Sequence, residues 1–176
     1  MKEKVLKNKQ LKLEKLINSA QELFMSKGIQ DTSISDITTH AGVAKGTFYL
    51  YFADKYSLRD HLIARSARKL FHNAHVDLQK EPQINTFEDK IIYITDHIIL
   101  ELSENKPLLS FISKNLSWGL FHQMVKEDIQ EDNMTGLQLF ERIASESNIT
   151  LKDPDIMAFM IVELASSTSY SAILGK

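Results

Sequence analysis

The stretch AGVAKGTFYLYFADK, residues 41–55, holds two glycines, two lysines and four aromatic rings in fifteen positions. Its later part, TFYLYF at 47–52, is made of strand-forming residue types and has the length of an ordinary β-strand. At helical period the same residues sort differently. Ala44, Phe48 and Phe52 form one i, i+4 row and Lys45 with Tyr49 forms another, which separates core-facing rings from outward-facing ones. A lone strand has no partner for its backbone hydrogen bonds, no second strand-like run lies nearby, and both flanks carry helical periodicity. The stretch therefore reads as helix.

Upstream, Leu13, Leu16, Ile17, Ala20, Leu23 and Phe24 recur at helical spacing, and Gly28 sits where a left-handed cap would close that helix. Ser33 precedes Ile34, Ser35 and Asp36, a capping box with Asp in place of Glu, and opens a short helix to about Ala41 that Gly42 stops. A second short helix is expected from about Lys45 to Phe52, and a long one from Asp54, its N-cap, through Leu58, Leu62, Ala67, Leu70 and Phe71. Two short helices joined at a glycine make a helix-turn-helix, whose second helix can enter the DNA major groove. Ile37, Val43 and Phe48 supply the shared apolar seam, and Gly42 supplies the backbone conformation of the turn. Lys45, Gly46, Thr47, Tyr49 and Tyr51 are left facing outward. These types suit DNA: lysine donates to guanine or phosphate, threonine meets a thymine methyl or a backbone oxygen, and tyrosine donates to phosphate. Gly46 permits close backbone approach. Lys55 stands at the start of the next helix, where its ammonium and the helix's first amides could face a phosphate.

The segment GIQDTSISDITTHAGVAKGTFYLYFADKYSLR, residues 28–59, resembles the DNA-binding segment of the TetR (tetracycline-repressor) family of transcriptional regulators. The resemblance covers about the first third of the chain. It implies that Ser33 caps the second helix and touches phosphate, and that Lys45 and Thr47 face bases. It places Tyr49, Tyr51 and Lys55 on backbone phosphates, with Tyr49 also near bases, and Phe48 and Phe52 in the core. Thr38 departs from the family's usual alanine. The family's remainder is a helical ligand-binding and dimerisation domain, to which this chain is similar in length and helicity only, so no ligand carries over.

Composition agrees with an all-α protein. Among 176 residues there are six glycines and three prolines, Pro82, Pro107 and Pro154, each where a helix starts or breaks. After the polar gap LQKEPQINTFEDK, residues Phe87, Ile91, Ile94, Ile98 and Leu102 restore the 3.6 period, and further helical segments are expected at about 107–114, 116–131, 134–147 and 154–174. The expected domains are a helix-turn-helix head at 1–53 and a helical ligand-binding and dimerisation body at 54–176. Residues 1–55 carry net charge +3 and residues 56–176 carry −5, so the excess of positive charge lies with the motif. There is no cysteine, which excludes disulfides, thiolate metal sites and cysteine nucleophiles. With no run of eighteen apolar residues and no signal-peptide pattern, a cytoplasmic protein without membrane association is expected.

His72 with His75 near Asp77, and His97 with Glu101, have helical spacings that bring two metal ligands onto one face, but lack further ligands and read as surface groups. No nucleophile elbow, phosphate loop or zinc motif appears, so neither an enzyme nor a cofactor is expected. The segment LLSFISKNLSWGLFHQM, 108–124, is rich in core types that also line apolar ligand cavities. Trp118, Phe121, His122 and Phe140 are the candidate effector-binding residues. The small hydroxylated residues Ser166, Ser167, Thr168, Ser169 and Ser171 permit close helix approach, as at a dimer face. The sequence ends after what resembles the first of the family's two dimerisation helices, so the final one is expected to be absent, or the dimer built differently. The leading expectation is a homodimeric, effector-released repressor on a palindromic operator. The competing one is a helical small-molecule-binding protein whose DNA-binding head is unused.

Overall fold

A computed structural model of the chain describes residues 2–117, 119–121 and 134–174. Its elements are α1 (Lys2–Lys27), α2 (Ile34–Ala41), α3 (Lys45–Tyr49), α4 (Lys55–Leu78), α5 (Phe87–Glu104), α6 (Lys106–Asn115), α7 (Gly136–Glu146) and α8 (Pro154–Leu174). No strand occurs among the described residues, so the fold is all-α. The chain divides into two compact units, Met1–Leu62 and Ile63–Lys176.

In the first unit α1 packs on α2 and α2 on α3. Leu16, Ile17, Ala20 and Phe24 of α1 are buried, as are Ile37 of α2, Phe48 of α3, and Phe52, Leu58 and Leu62 beyond it. Phe48 and Phe52 sit with ring centroids 5.8 Å apart, and Phe52 continues to His61 at 5.6 Å. Burying an aromatic side chain such as Phe48 contributes about 2–3 kcal/mol, large for so small a core. The expected N-terminal helix is longer than its apolar row, running back to Lys2.

In the second unit α8 packs against α5, α6 and α7. Ala74, Leu78, Ile94, Leu139 and Ile143 form one buried cluster, and Phe121, Leu137, Phe140 and Ala158 another. α5 is capped by Thr86, whose hydroxyl accepts from the Asp89 amide at 3.1 Å. α7 is capped by Thr135 with Gln138 in a reciprocal box. Such caps satisfy helix-end amides that packing would otherwise bury. Ser166 and Ser169 of the small-residue run are buried, and the Ser113 hydroxyl reaches the Ser166 carbonyl at 3.5 Å, so this run lets α6 approach α8 within the chain. Length and composition alone would let α8 cross a membrane. Ile156, Met160 and Leu164 are exposed along it at i, i+4 spacing.

Candidate nucleic-acid interface

The site begins with the caps of α2. The Ser33 hydroxyl accepts from the Asp36 amide at 3.0 Å, and the Asp36 carboxylate accepts from the Ser33 amide at 2.9 Å, the expected box. The hydrogen bond from the Ser33 amide first, then the Ser33 hydroxyl and Lys27 at 3.2 Å, lower the Asp36 pKa from 3.8 to about 2. At the other end Gly42 adopts φ 65° and ψ 37°. Its amide donates to the Thr39 carbonyl at 3.2 Å and that of Val43 to the Thr38 carbonyl at 3.0 Å. This paired closure satisfies two helix-end carbonyls and needs a left-handed residue, which glycine tolerates best. Thr38, the departure from the family pattern, is buried; its hydroxyl donates to the Ser35 carbonyl at 3.2 Å, so its polar atom goes in satisfied.

α3 is shorter than expected. It ends at Tyr49 instead of Phe52, and the Leu50 and Tyr51 amides donate to the Thr47 and Phe48 carbonyls at 3.3 and 3.0 Å. The Phe52 amide also donates to the Phe48 carbonyl, at 3.0 Å, so a last turn of mixed i, i+3 and i, i+4 bonds carries Phe52 inward before Asp54 caps α4. Phe48 is buried as the anchor, and Lys45, Gly46 and Tyr49 are exposed with Thr47 half-buried. The Tyr49 ring stands edge-on to Phe48 at 5.5 Å, which fixes an exposed tyrosine against the core. A Cβ added at Gly46 would meet nothing within 4 Å, and its φ is not positive, so neither the packing nor the backbone of this unit requires glycine there.

Two sequence candidates are engaged inside the unit. The Tyr51 hydroxyl donates to the Lys9 carbonyl at 2.9 Å, tying the end of the recognition segment to α1. The Lys55 ammonium donates to the carbonyls of Ile29, Gln30 and Thr32 at 2.8, 3.1 and 3.1 Å. An ammonium has three donors, so these bonds occupy all of them. Lys55 thereby braces the turn between α1 and α2, helped by Thr32, which is fully buried and donates to the Gly28 carbonyl at 2.7 Å. Asp54 caps α4 as expected, accepting from the Tyr56 and Ser57 amides at 2.9 and 2.7 Å. Leu50, not singled out from sequence, is 76% exposed next to Tyr49. An apolar residue of core type flanked by Tyr49 and Tyr51, off the Phe48 and Phe52 row, was the available signal.

Trp118 and His122 lie outside the described residues. Phe121 and Phe140 are both buried in the second unit. Phe121 lines a cavity of about 980 Å³, counting its mouth, with Ile63, Phe71, Ile94, Leu102 and Ile161 among its walls. Both phenylalanines line an adjoining space of about 410 Å³. Of the histidines considered as ligands, His97 lies 3.7 Å from Asp77 and 3.9 Å from Glu101. Among the described residues no group of three or more such side chains is arranged to hold a metal.

Residues 16–62 match the family model for bacterial regulatory proteins of the tetR family. The chain is 34% identical over 89 residues to the uncharacterized HTH-type transcriptional regulator YvdT of Bacillus subtilis, a match covering 48% of this chain and 46% of that protein. It thus spans about half that relative's length. It is 30% identical over 135 residues to the transposon Tn10 TetC protein of Escherichia coli, covering 69% of this chain and 67% of TetC. Among solved structures, the fatty acid degradation regulator FadR from Bacillus halodurans superposes with a TM-score of 0.64 at 17% identity, over 93% of this chain and 88% of that one, a likeness of fold.

Proposed function

The chain belongs to the TetR family of bacterial transcriptional regulators, and from that premise we propose that it is a cytoplasmic repressor that binds a palindromic operator as a homodimer and is released by a small apolar or amphipathic effector. The observation that carries the reading is the α2–turn–α3 unit, which buries Phe48 while exposing Lys45, Gly46 and Tyr49 on one short helix. Lys45 and Thr47 read base edges. Tyr49 meets phosphate and the neighbouring bases, Ser33 adds a phosphate contact at the start of α2, and Gly46 admits the DNA backbone. Leu50 offers an apolar surface to a thymine methyl. Tyr51 and Lys55 act mainly as braces that hold α3 at its angle.

The exposed Ile156, Met160 and Leu164 of α8 support a dimer, because an apolar row of this kind is covered in a stable oligomer. Two recognition helices would then enter successive major grooves about 34 Å apart. α4 begins beside the helix-turn-helix, and its later residues Ile63, Ala67 and Phe71 line the cavity. An effector filling that cavity shifts the population between two settings of α4, and so of the heads, and operator and effector oppose each other reciprocally.

The test is duplex affinity against salt concentration. Log K falls linearly against log salt, with a slope of roughly −0.9 for each phosphate that the dimer neutralises. Absence of salt-dependent duplex binding contradicts the reading and favours a helical small-molecule-binding protein with an unused head.

A further inference from the structure

We propose that the cavity of the second unit takes an uncharged molecule of hydrocarbon character, and that its wall excludes carboxylate and ammonium groups alike. The inference rests on the reading that this unit binds a small effector and names that effector's chemistry.

The cavity lies among α4, α5, α6, α7 and α8, in two adjoining parts of about 980 Å³ and 410 Å³ counting their mouths. Phe71, Ile94, Phe121 and Gly136 are walls of both. A Cβ added at Gly136 would lie 2.4 Å from the Phe71 ring, so at this shared wall the ring occupies the place of a side chain. Much of the remaining wall is β-branched. Ile63, Ile98, Ile99, Ile161 and Val162 each sit on a helix, where one χ1 setting is strongly preferred, so they resist folding into the space and the cavity keeps its shape.

The wall shows almost no polar surface. Arg68 alone carries an ionisable side chain among the described lining residues of both parts. It is 5% exposed and engaged within the protein, and its Nε and Nη2 have no accessible surface. The other polar side chains, Thr95, Thr135 and Ser166, are neutral hydroxyls. That of Ser166 donates to the Glu163 carbonyl at 3.3 Å, and that of Thr135 accepts from the Gln138 amide at 3.2 Å.

An ion of either sign entering this space leaves its water without gaining a partner, which is costly. An uncharged apolar molecule loses little on leaving water and gains the dispersion contacts that an apolar void leaves unmade. Selection is then by charge and by volume, with no head group to grip.

The experiment loads the full chain with N-phenylnaphthylamine, a neutral fluorophore that brightens in apolar surroundings. It is displaced with butylbenzene, phenylpropionate and phenylpropylammonium, which share a ring and nearly the same length. Butylbenzene is expected to bind at least about a hundredfold more tightly than either ion. Comparable displacement by either ion overturns the exclusion of charge, and absence of displacement by butylbenzene overturns the site. Ala67→Leu, which enlarges a side chain of the α4 wall and is checked for helicity, weakens butylbenzene about tenfold or more. Leu100→Gln, at an exposed position of α5 outside the lining, leaves it unchanged. Unless Ala67→Leu weakens binding more than Leu100→Gln does, the ligand lies outside the cavity and the assignment is overturned. Operator affinity is measured separately. If butylbenzene binds in the expected order yet leaves operator affinity unchanged, the effector reading fails for this ligand while the uncharged site stands. If an ion binds as tightly and lowers operator affinity, the exclusion of charge fails while the effector reading stands.

Discussion

In Met1–Leu62 the polar groups are assigned one at a time to backbone partners, whereas the core of Ile63–Lys176 is shaped mainly by apolar volume. Ser33, Asp36, Tyr51, Asp54 and Lys55 each hold a named amide or carbonyl in the first unit. The second unit instead holds a cavity whose described walls are almost wholly aliphatic and aromatic. A surface that must meet a nucleic acid in one register needs its backbone fixed, because hydrogen-bond readout fails with small displacements. A site for an apolar ligand needs space and a shape. The difference teaches that, under the proposed function, the two units would obtain specificity by different means, orientation in one and volume in the other.

Substitutions in each unit should therefore fail in different ways. The largest effect is expected from Phe48→Ala, which removes a fully buried ring from the first unit and destabilises it by about 3–5 kcal/mol in a denaturant melt. Gly136→Ala probes the second unit by volume. A Cβ there would lie 2.4 Å from the Phe71 ring, so the ring must move, at about 1–3 kcal/mol in the melt. Lys55→Ala releases the Ile29, Gln30 and Thr32 carbonyls and should lower stability by about 1–2 kcal/mol, while Lys45→Ala leaves the melt unchanged and relaxes sequence preference. If Lys55→Ala leaves the melt unchanged and only weakens duplex binding, Lys55 is a phosphate contact and not a brace.

Gly46→Ala separates stability from function. Nothing crowds the added methyl, so the head should gain about 0.5–1 kcal/mol from helix propensity while duplex affinity drops. The smallest effect is that of Asp36→Asn, read as pH dependence. The Asp36 pKa is depressed from 3.8 to about 2, so the carboxylate contributes stability above 3.8 and that contribution disappears as pH falls through about 2. An acid titration of the melt should be flatter for Asp36→Asn across that window.

Much of the first unit was legible because its signals are local. Ser33 three residues before Asp36, and a glycine at Gly42, specify backbone geometry within a few residues, and the structure has both the capping box and the left-handed turn. Fates decided across the unit were not legible. Tyr51 and Lys55 read as outward groups, and their bonds to Lys9 and to the Ile29–Thr32 turn depend on how α1 passes the motif, which spacing alone does not encode. The early end of α3 has the same origin, since Phe52 is drawn inward to Phe48 and His61. In the second unit Phe121 and Phe140 were recognisable as buried aromatics, but Arg68 was not singled out. It resembles one more surface charge in the run SARKLFH, although its place four residues after Ala64 and three before Phe71 sets it on the inward row of α4. Periodicity finds such a row; only the packed helices reveal that a cavity lies beside it.

The central claim is that α3 reads DNA through Lys45 and its exposed neighbours. Selection of bound duplexes from a random pool, run in parallel on the unaltered protein and on Lys45→Ala, tests it most directly. The account predicts a palindromic consensus with half-site centres about 34 Å apart, losing preference at the same position of each half-site in Lys45→Ala. An unenriched pool, or a consensus untouched by the substitution, would contradict it.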